Sequence, residues 1–269
     1  MDIYTTLRTA LKSAIEEHDL AGQTLSVRCK ALAAHEAIGR PKHTDYPIIK
    51  GREVMVEADF QGAKGQAFTD EFEQADFPVH ELLTMTLDSN RKRATFISGL
   101  NAVFRFLDLC GKTVHCKDKE PEECAVHLAD IVSPGQKVLL VGHQPRFMEA
   151  LASHFPTRVV DMDQDNIGRK INNVVIESPE KTAEAVQWCD VILATGSTLT
   201  NGTITTFIDQ DKPVVFFWCD YCCGIQDLEV EQLLLLRPLE VANSTPIRSP
   251  IPRQSTHSNQ GVATHRNNW

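Results

Sequence analysis

The sequence predicts an α/β protein: a doubly wound, mostly parallel sheet preceded by a small α+β domain. Three observations carry this. Four apolar runs, KVLLVG (137–142), RVVDMD (158–163), DVILAT (190–195) and KPVVFF (212–217), alternate with segments of helical period. Runs of that kind are buried on both faces of a parallel sheet, and their alternation with helices of about ten residues defines βα units. Ahead of them, up to about residue 88, the apolar pattern is that of short alternating strands, as in an antiparallel meander. The hydrophobic share is 42% and the charged share 23%, so the 269 residues can bury one large or two ordinary cores.

The elements follow in order. Ile3, Leu7, Leu11 and Ile15 are spaced for one helix over residues 1–18, and TLSVRCKAL (24–32) alternates with period two and reads as a strand. Residues 35–50, with two prolines, two histidines and a glycine, form a long loop; two strands then span 53–58 and 65–70 around a turn at Gly62. Helical character resumes over 79–87. A long helix over 92–110 carries Phe96, Leu100, Val103, Phe104 and Leu107 on one side, and another spans 121–131. Helices over 146–154 and 179–189 separate the apolar strands, and one more runs from the turn at 195 to about 209. The expected domains are 1–88, 89–217 and a tail, 218–269, whose last 29 or so residues are rich in Ser and Pro turns and are expected to be largely disordered.

A net charge of −9, with no basic run denser than Arg91-Lys92-Arg93, argues against nucleic acid as a partner, because neutralising phosphates needs a basic face. No segment approaches the ~18 apolar residues of a membrane span. Residues 1–19 contain Glu16 and Glu17 and lack the charged-then-apolar plan of a secretory leader. Eight cysteines in such a chain are expected to be mostly reduced thiols in the cytoplasm. Cys29, Cys110 and Cys189 fall at core positions, Cys116 and Cys124 lie near His115 and His127 without ligand spacing, and Cys219, Cys222 and Cys223 form a lone CxxC.

Ligands of an open α/β sheet bind at the carboxyl ends of its strands, and three such ends carry polar residues. Gly142-His143-Gln144-Pro145 follows the first apolar strand; the glycine permits close approach of backbone to a ligand, and His143 is the candidate general acid–base, or else an ordinary surface histidine in a tight turn. The run is not GxGxxG. Asp161 and Asp163 end the second strand, about twenty residues after that glycine, where a carboxylate could hold a ribose. With His143 they could instead take a divalent or heavy metal, or be solvated loop acids. The third end is ATGSTLTNGTI (194–204). Thr195, Gly196, Ser197, Thr198, Thr200, Asn201, Gly202 and Thr203 are more hydroxyls and glycines than a helix cap requires, at a place where helix N–H groups favour an anion.

These residues also carry a resemblance. VLLVGHQPRFMEAL, RVVDMD and WCDVILATGSTLTNGTI, with ISGLNAVF (97–104) ahead of them, resemble the putative heavy-metal chelation family; HEAIGRPKHTDYPIIKGREVMVEADFQGAKGQAFTD resembles that family's companion domain. The likeness spans residues 2–217. It implies an enolase-amino-terminal-like α+β domain followed by a Rossmann-like domain, a ligand cleft between them, and no established reaction. On the Rossmann side it implies Asn101, Gly142, Asp161, Thr195, Gly196, Thr198, Asn201, Gly202 and Thr203 in the cleft, with Lys50, Gly51, Gln66 and Asp70 opposite. The likeness stops at Trp218, where Trp-Cys-Asp-Tyr-Cys-Cys replaces the glycine-containing apolar turn it would lead one to expect. Shifting the reading of those codons by one base gives Gly, Ala or Val, Thr or Ile twice, then Ala or Val, so a frameshift after Phe217 is one account of the tail.

The function expected is binding of a small anionic or metal-chelating ligand between the two domains, with catalysis and self-association left open. A nucleotide-dependent oxidoreductase or transferase, with Asp161 on the ribose, is one alternative; a non-catalytic carrier or regulatory subunit is another.

Overall fold

In the computed structural model, the described residues are 3–30, 54–110, 132–208 and 210–217. Expectations placed on the loop at 35–50, Lys50, Gly51, the helix at 121–131, five of the eight cysteines and the tail all lie outside them.

Helix α1 (Ile3–Glu17) buries Leu7, Leu11, Ala14 and Ile15, the stripe its period predicts. Strands β1 (Thr24–Lys30), β2 (Val54–Phe60), β3 (Ala63–Thr69) and β4 (Ala75–Pro78) form an antiparallel sheet in the order β3-β2-β1-β4. Only Gln61 and Gly62 separate β2 from β3, at φ 52° and 89°, the doubly left-handed turn that matches the twist of a hairpin. The Asp59 carboxylate accepts the Gly62 N–H at 2.9 Å. The helical character expected over 79–87 is only a 3₁₀ segment, Val79–Leu83; β4, four residues ending at a proline, gave too short a signal to be read.

Helix α2 (Asn90–Phe106) starts at Ser89, whose hydroxyl accepts the Lys92 N–H, and lies across this sheet. The fit is close at Gly65 in β3, where a Cβ would stand 2.3 Å from both Ala102 N and Ser98 O. Leu25, Phe60, Phe96, Ile97 and Val103 fill the core between helix and sheet, and full burial of each is worth about 1.5–3 kcal/mol.

The second sheet contains β5 (Val138–Val141), β6 (Thr157–Val160), β7 (Lys170–Ile171), β8 (Val174–Glu177), β9 (Val191–Thr195) and β10 (Val214–Phe217), in the order β10-β9-β5-β6-β8-β7. All neighbours are parallel except β7 and β8. The expected α/β class is therefore observed. The β7–β8 hairpin was missed; its signal is Asn172-Asn173, both at positive φ, between short apolar runs. Helix α3 (Pro145–His154) follows β5, and α4 (Thr182–Trp188) precedes β9. The carboxyl end of α4 is closed by Lys212, whose ammonium donates to the carbonyls of Val186, Gln187 and Cys189 at 2.5, 3.1 and 2.5 Å. Arg158 of β6 grips Glu177 of β8 through two parallel hydrogen bonds of 2.7 and 2.5 Å.

The single helix expected from 195 to 209 is two short ones, α5 (Ser197–Asn201) and α6 (Thr205–Ile208). Gly202, at φ 80°, ends the first in the left-handed conformation and turns the chain.

Candidate functional site at the strand ends

Chain order runs outward from β5 in both directions, through β6 and β8 on one side and β9 and β10 on the other. The order therefore reverses between β5 and β9, where an open α/β sheet leaves its crevice. Val141 pairs in register with Ala194 there, so the next residues, Gly142 and Thr195, stand side by side. Gly142 has φ 89°, and a Cβ on it would lie 2.7 Å from Thr195 Cγ2. Both the conformation and the approach require glycine. The sequence singled out these two residues separately; the strand order brings them together.

Asp161 sits at the end of β6, next to this point. Its Oδ2 accepts the backbone N–H of His143 at 2.5 Å, and its Oδ1 accepts the N–H of Asp163 at 2.7 Å and the Asn166 amide at 3.3 Å. The carboxylate thus ties the loop after β5 to the loop after β6. Asp163 Oδ1 in turn accepts the Asp165 N–H at 3.0 Å. Asn166 is 2% exposed and was not singled out in the sequence. His143 is buried, so its imidazole is not the surface group that the plain turn reading expected. Among the described residues, no group of three or more His, Cys, Asp or Glu is placed to hold a metal ion.

In the threonine-rich turn the carbonyls of residues 195–200 find partners beyond those a helix of five residues supplies by itself. Thr195 O accepts the Thr198 hydroxyl at 2.7 Å, Gly196 O the Leu199 N–H at 2.9 Å, and Ser197 O the Thr200 hydroxyl at 3.0 Å. Thr198 O takes the Ile204 N–H at 3.1 Å, Leu199 O the Tyr4 hydroxyl at 2.5 Å, and Thr200 O the Arg93 Nε–H at 2.8 Å. Asn201 Oδ1 accepts both the N–H and the hydroxyl of Thr203, at 3.0 and 2.7 Å. Much of the polar richness therefore shapes the turn. Thr195 and Ser197, both half-buried, are the hydroxyl residues at its leading edge, next to Gly142.

The remaining candidates lie on the first sheet. Asn101, on α2, donates to Gln66 O at 3.2 Å; Gln66, 5% exposed, donates to Glu57 at 2.8 Å; Asp70 accepts from Asn90 at 2.7 Å. Helix α5 packs against α2 and β3, so these elements adjoin the turn, and Tyr4 and Arg93 hydrogen-bond its carbonyls. Neither could be recognised from sequence: Arg93 belongs to a run that reads as a solvated helix start. Burial pushes the thiol of Cys110 up to about 11 and that of Cys189 upward, as expected of inert structural cysteines.

Geometry and topology together define an α/β protein in which a glycine and a threonine stand side by side at the reversal of its strand order. Residues 126–215 match the family described as DUF364, putative heavy-metal chelation, the family whose motifs the sequence resembles. A protein of unknown function from that family in Pyrococcus horikoshii has a solved structure similar to this one. Its TM-score is 0.52 at 14% identity, covering 82% of this chain and 80% of the other. A second, from Desulfitobacterium hafniense DCB-2, has a TM-score of 0.44 at 10% identity, covering 75% and 72%. No curated protein matches. No helix among the described residues is long and apolar enough to cross a membrane.

Proposed function

We propose that this protein binds a small anionic ligand, or a metal carried by an anionic chelator, in the crevice where the ends of β5 and β9 meet. The observation that carries this reading is the contact of Gly142 with Thr195 at the reversal of strand order. It brings two glycine-containing loops, with the half-buried hydroxyl residues Thr195 and Ser197, to one point. Backbone N–H groups and hydroxyls are donors suited to an oxyanion.

The engagement of Asp161 favours one of the forms this ligand could take. Both its oxygens face N–H donors, whose positive ends repel a cation. A bare ion is therefore the poorer ligand, and the family's description is met better by a metal that arrives already complexed. The same engagement disfavours the nucleotide-dependent reading, which needs that carboxylate for a ribose. Under this proposal residues 1–88 and 89–217 act as two modules, with α2 the part of the second that is embedded in the first's core.

Metal analysis of untagged protein, incubated with Zn²⁺ alone or with Zn²⁺ and citrate and then desalted, tests the reading. Zinc retained only with citrate, and lost in Gly142→Ala, is the expected result. Stoichiometric zinc bound without citrate and lost in the Asp161→Ala/Asp163→Ala variant would refute it.

A further inference from the structure

A helix of five residues is far below the length that is stable alone, so something outside α5 must hold its shape. Four of its six neighbouring carbonyls, those of residues 195–198, are paired within the turn itself. The other two, on Leu199 and Thr200, are paired by side chains from α1 and α2 that are 195 and 107 residues away in sequence. The apolar residues of the turn follow the same direction. Leu199 and Ile204 are buried in the core of the four-stranded sheet, not in the cores flanking the sheet to which β9 belongs.

Resting on the strand-end reading above, we propose that Tyr4 and Arg93 are positioning residues: they hold the candidate ligand loop, 195–203, in place from the two helices, α1 and α2, that share the core of the four-stranded sheet. Arg93 is prepared for this role. One of its terminal nitrogens donates to Leu87 O at 2.8 Å and the other to Asn90 Oδ1 at 2.5 Å, which leaves Nε–H aimed at Thr200. Gly202 makes room for the guanidinium, since a Cβ there would lie 3.3 Å from Arg93 Cζ. Tyr4, half-buried on α1, closes the adjacent carbonyl. A ligand held by the leading edge of the turn is thereby linked to α1 and α2 without touching either.

Hydrogen exchange measured by mass spectrometry on the full chain tests this without any ligand. Arg93→Met should speed exchange of the peptide covering 198–208, which contains the Ile204 and Phe207 amides, by about tenfold. Tyr4→Phe should speed it by about fivefold. Arg93→Lys, which keeps the charge but offers its donors from a single nitrogen, should restore part of the protection. The peptides of β5 and β6 should exchange as in the wild type. Unchanged exchange at 198–208 in the Tyr4→Phe/Arg93→Met double variant would overturn the proposal, as would equal acceleration across β5 and β6. A titration with inorganic phosphate separates the two claims. Phosphate binding by the wild type, weakened in step with the loosened exchange, supports both. Loosened exchange without phosphate binding by the wild type supports the positioning role and removes the anion site it was to serve.

Discussion

The two sheets of this protein achieve close approach by different means. Under α2, the four-stranded sheet meets backbone with backbone: Gly65 leaves no room for a Cβ against Ala102 and Ser98. At the end of β5, Gly142 meets a side-chain methyl of Thr195, and the neighbouring loops are tied by hydrogen bonds through Asp161 and through the hydroxyls of the turn. The first contact is a packing joint that only burial could explain. The second is partly exposed and set among hydrogen-bonded, adjustable loops, which is what a binding edge needs. A glycine in sequence is the same letter in both; its neighbour in space gives it its role.

The largest effect that would sharpen this contrast is at the packing joint. Gly65→Ala should destabilise the fold by about 3 kcal/mol or more, because helix and strand backbones would both have to move. Urea denaturation checks this, and a loss under 1 kcal/mol would show that α2 can lift from the sheet. Gly142→Ala should cost about 2–3 kcal/mol, from the left-handed conformation and the methyl contact together. Its diagnostic outcome, though, is loss of ligand retention at temperatures where the variant remains folded. Asp161→Asn should cost about 1–3 kcal/mol, since an amide can accept from only one of the two backbone N–H groups that now share the carboxylate. A variant as stable as the wild type would return Asp161 to the list of groups available for a ligand.

The smallest effect concerns the half-exposed pair Asp59 and Lys64 of the first sheet. The hydrogen bond to Lys64 holds the Asp59 carboxyl below its ordinary value, and the same bond raises Lys64 above its own. A carboxyl lowered in the folded state stabilises above its unfolded value, and that contribution is lost as pH falls through the folded one. A raised lysine stabilises below its ordinary value and loses the contribution as pH rises through the folded one. The pair's contribution is therefore flat through neutrality and fades at both extremes. Both groups are solvent-screened, so Lys64→Met should shift Tm by no more than a degree or two at pH 7, with the difference vanishing below the carboxyl range.

Most of the second sheet was legible in the sequence because its strands are short, continuous apolar runs set off by helices: β5, β6, β9 and β10 all fall where the pattern places them. The β7–β8 hairpin and β4 were not, since two to four residues give no period to read. The helix after 195 was read as one because threonine and isoleucine continue a helical pattern across Gly202; only its left-handed φ breaks it. The candidate residues at the strand ends were named from their position, their spacing and a family resemblance, and what they do to each other was hidden. That Asp161 faces the His143 amide depends on parallel pairing of β5 with β6, and that Thr200 meets Arg93 depends on α5 packing against α2. Such pairings are set by topology and leave no mark at short range.

The central claim is that the crevice between β5 and β9 receives an anion through the Gly142 and Thr195 loops. The most direct measurement is an amide chemical-shift titration of ¹⁵N-labelled protein with citrate. The account predicts saturable shifts at Gly142, His143, Gly196 and Ser197, absent from Gly65 and Ala102 under α2. No shifts at those four residues, or the same shifts produced by Zn²⁺ alone, would contradict it.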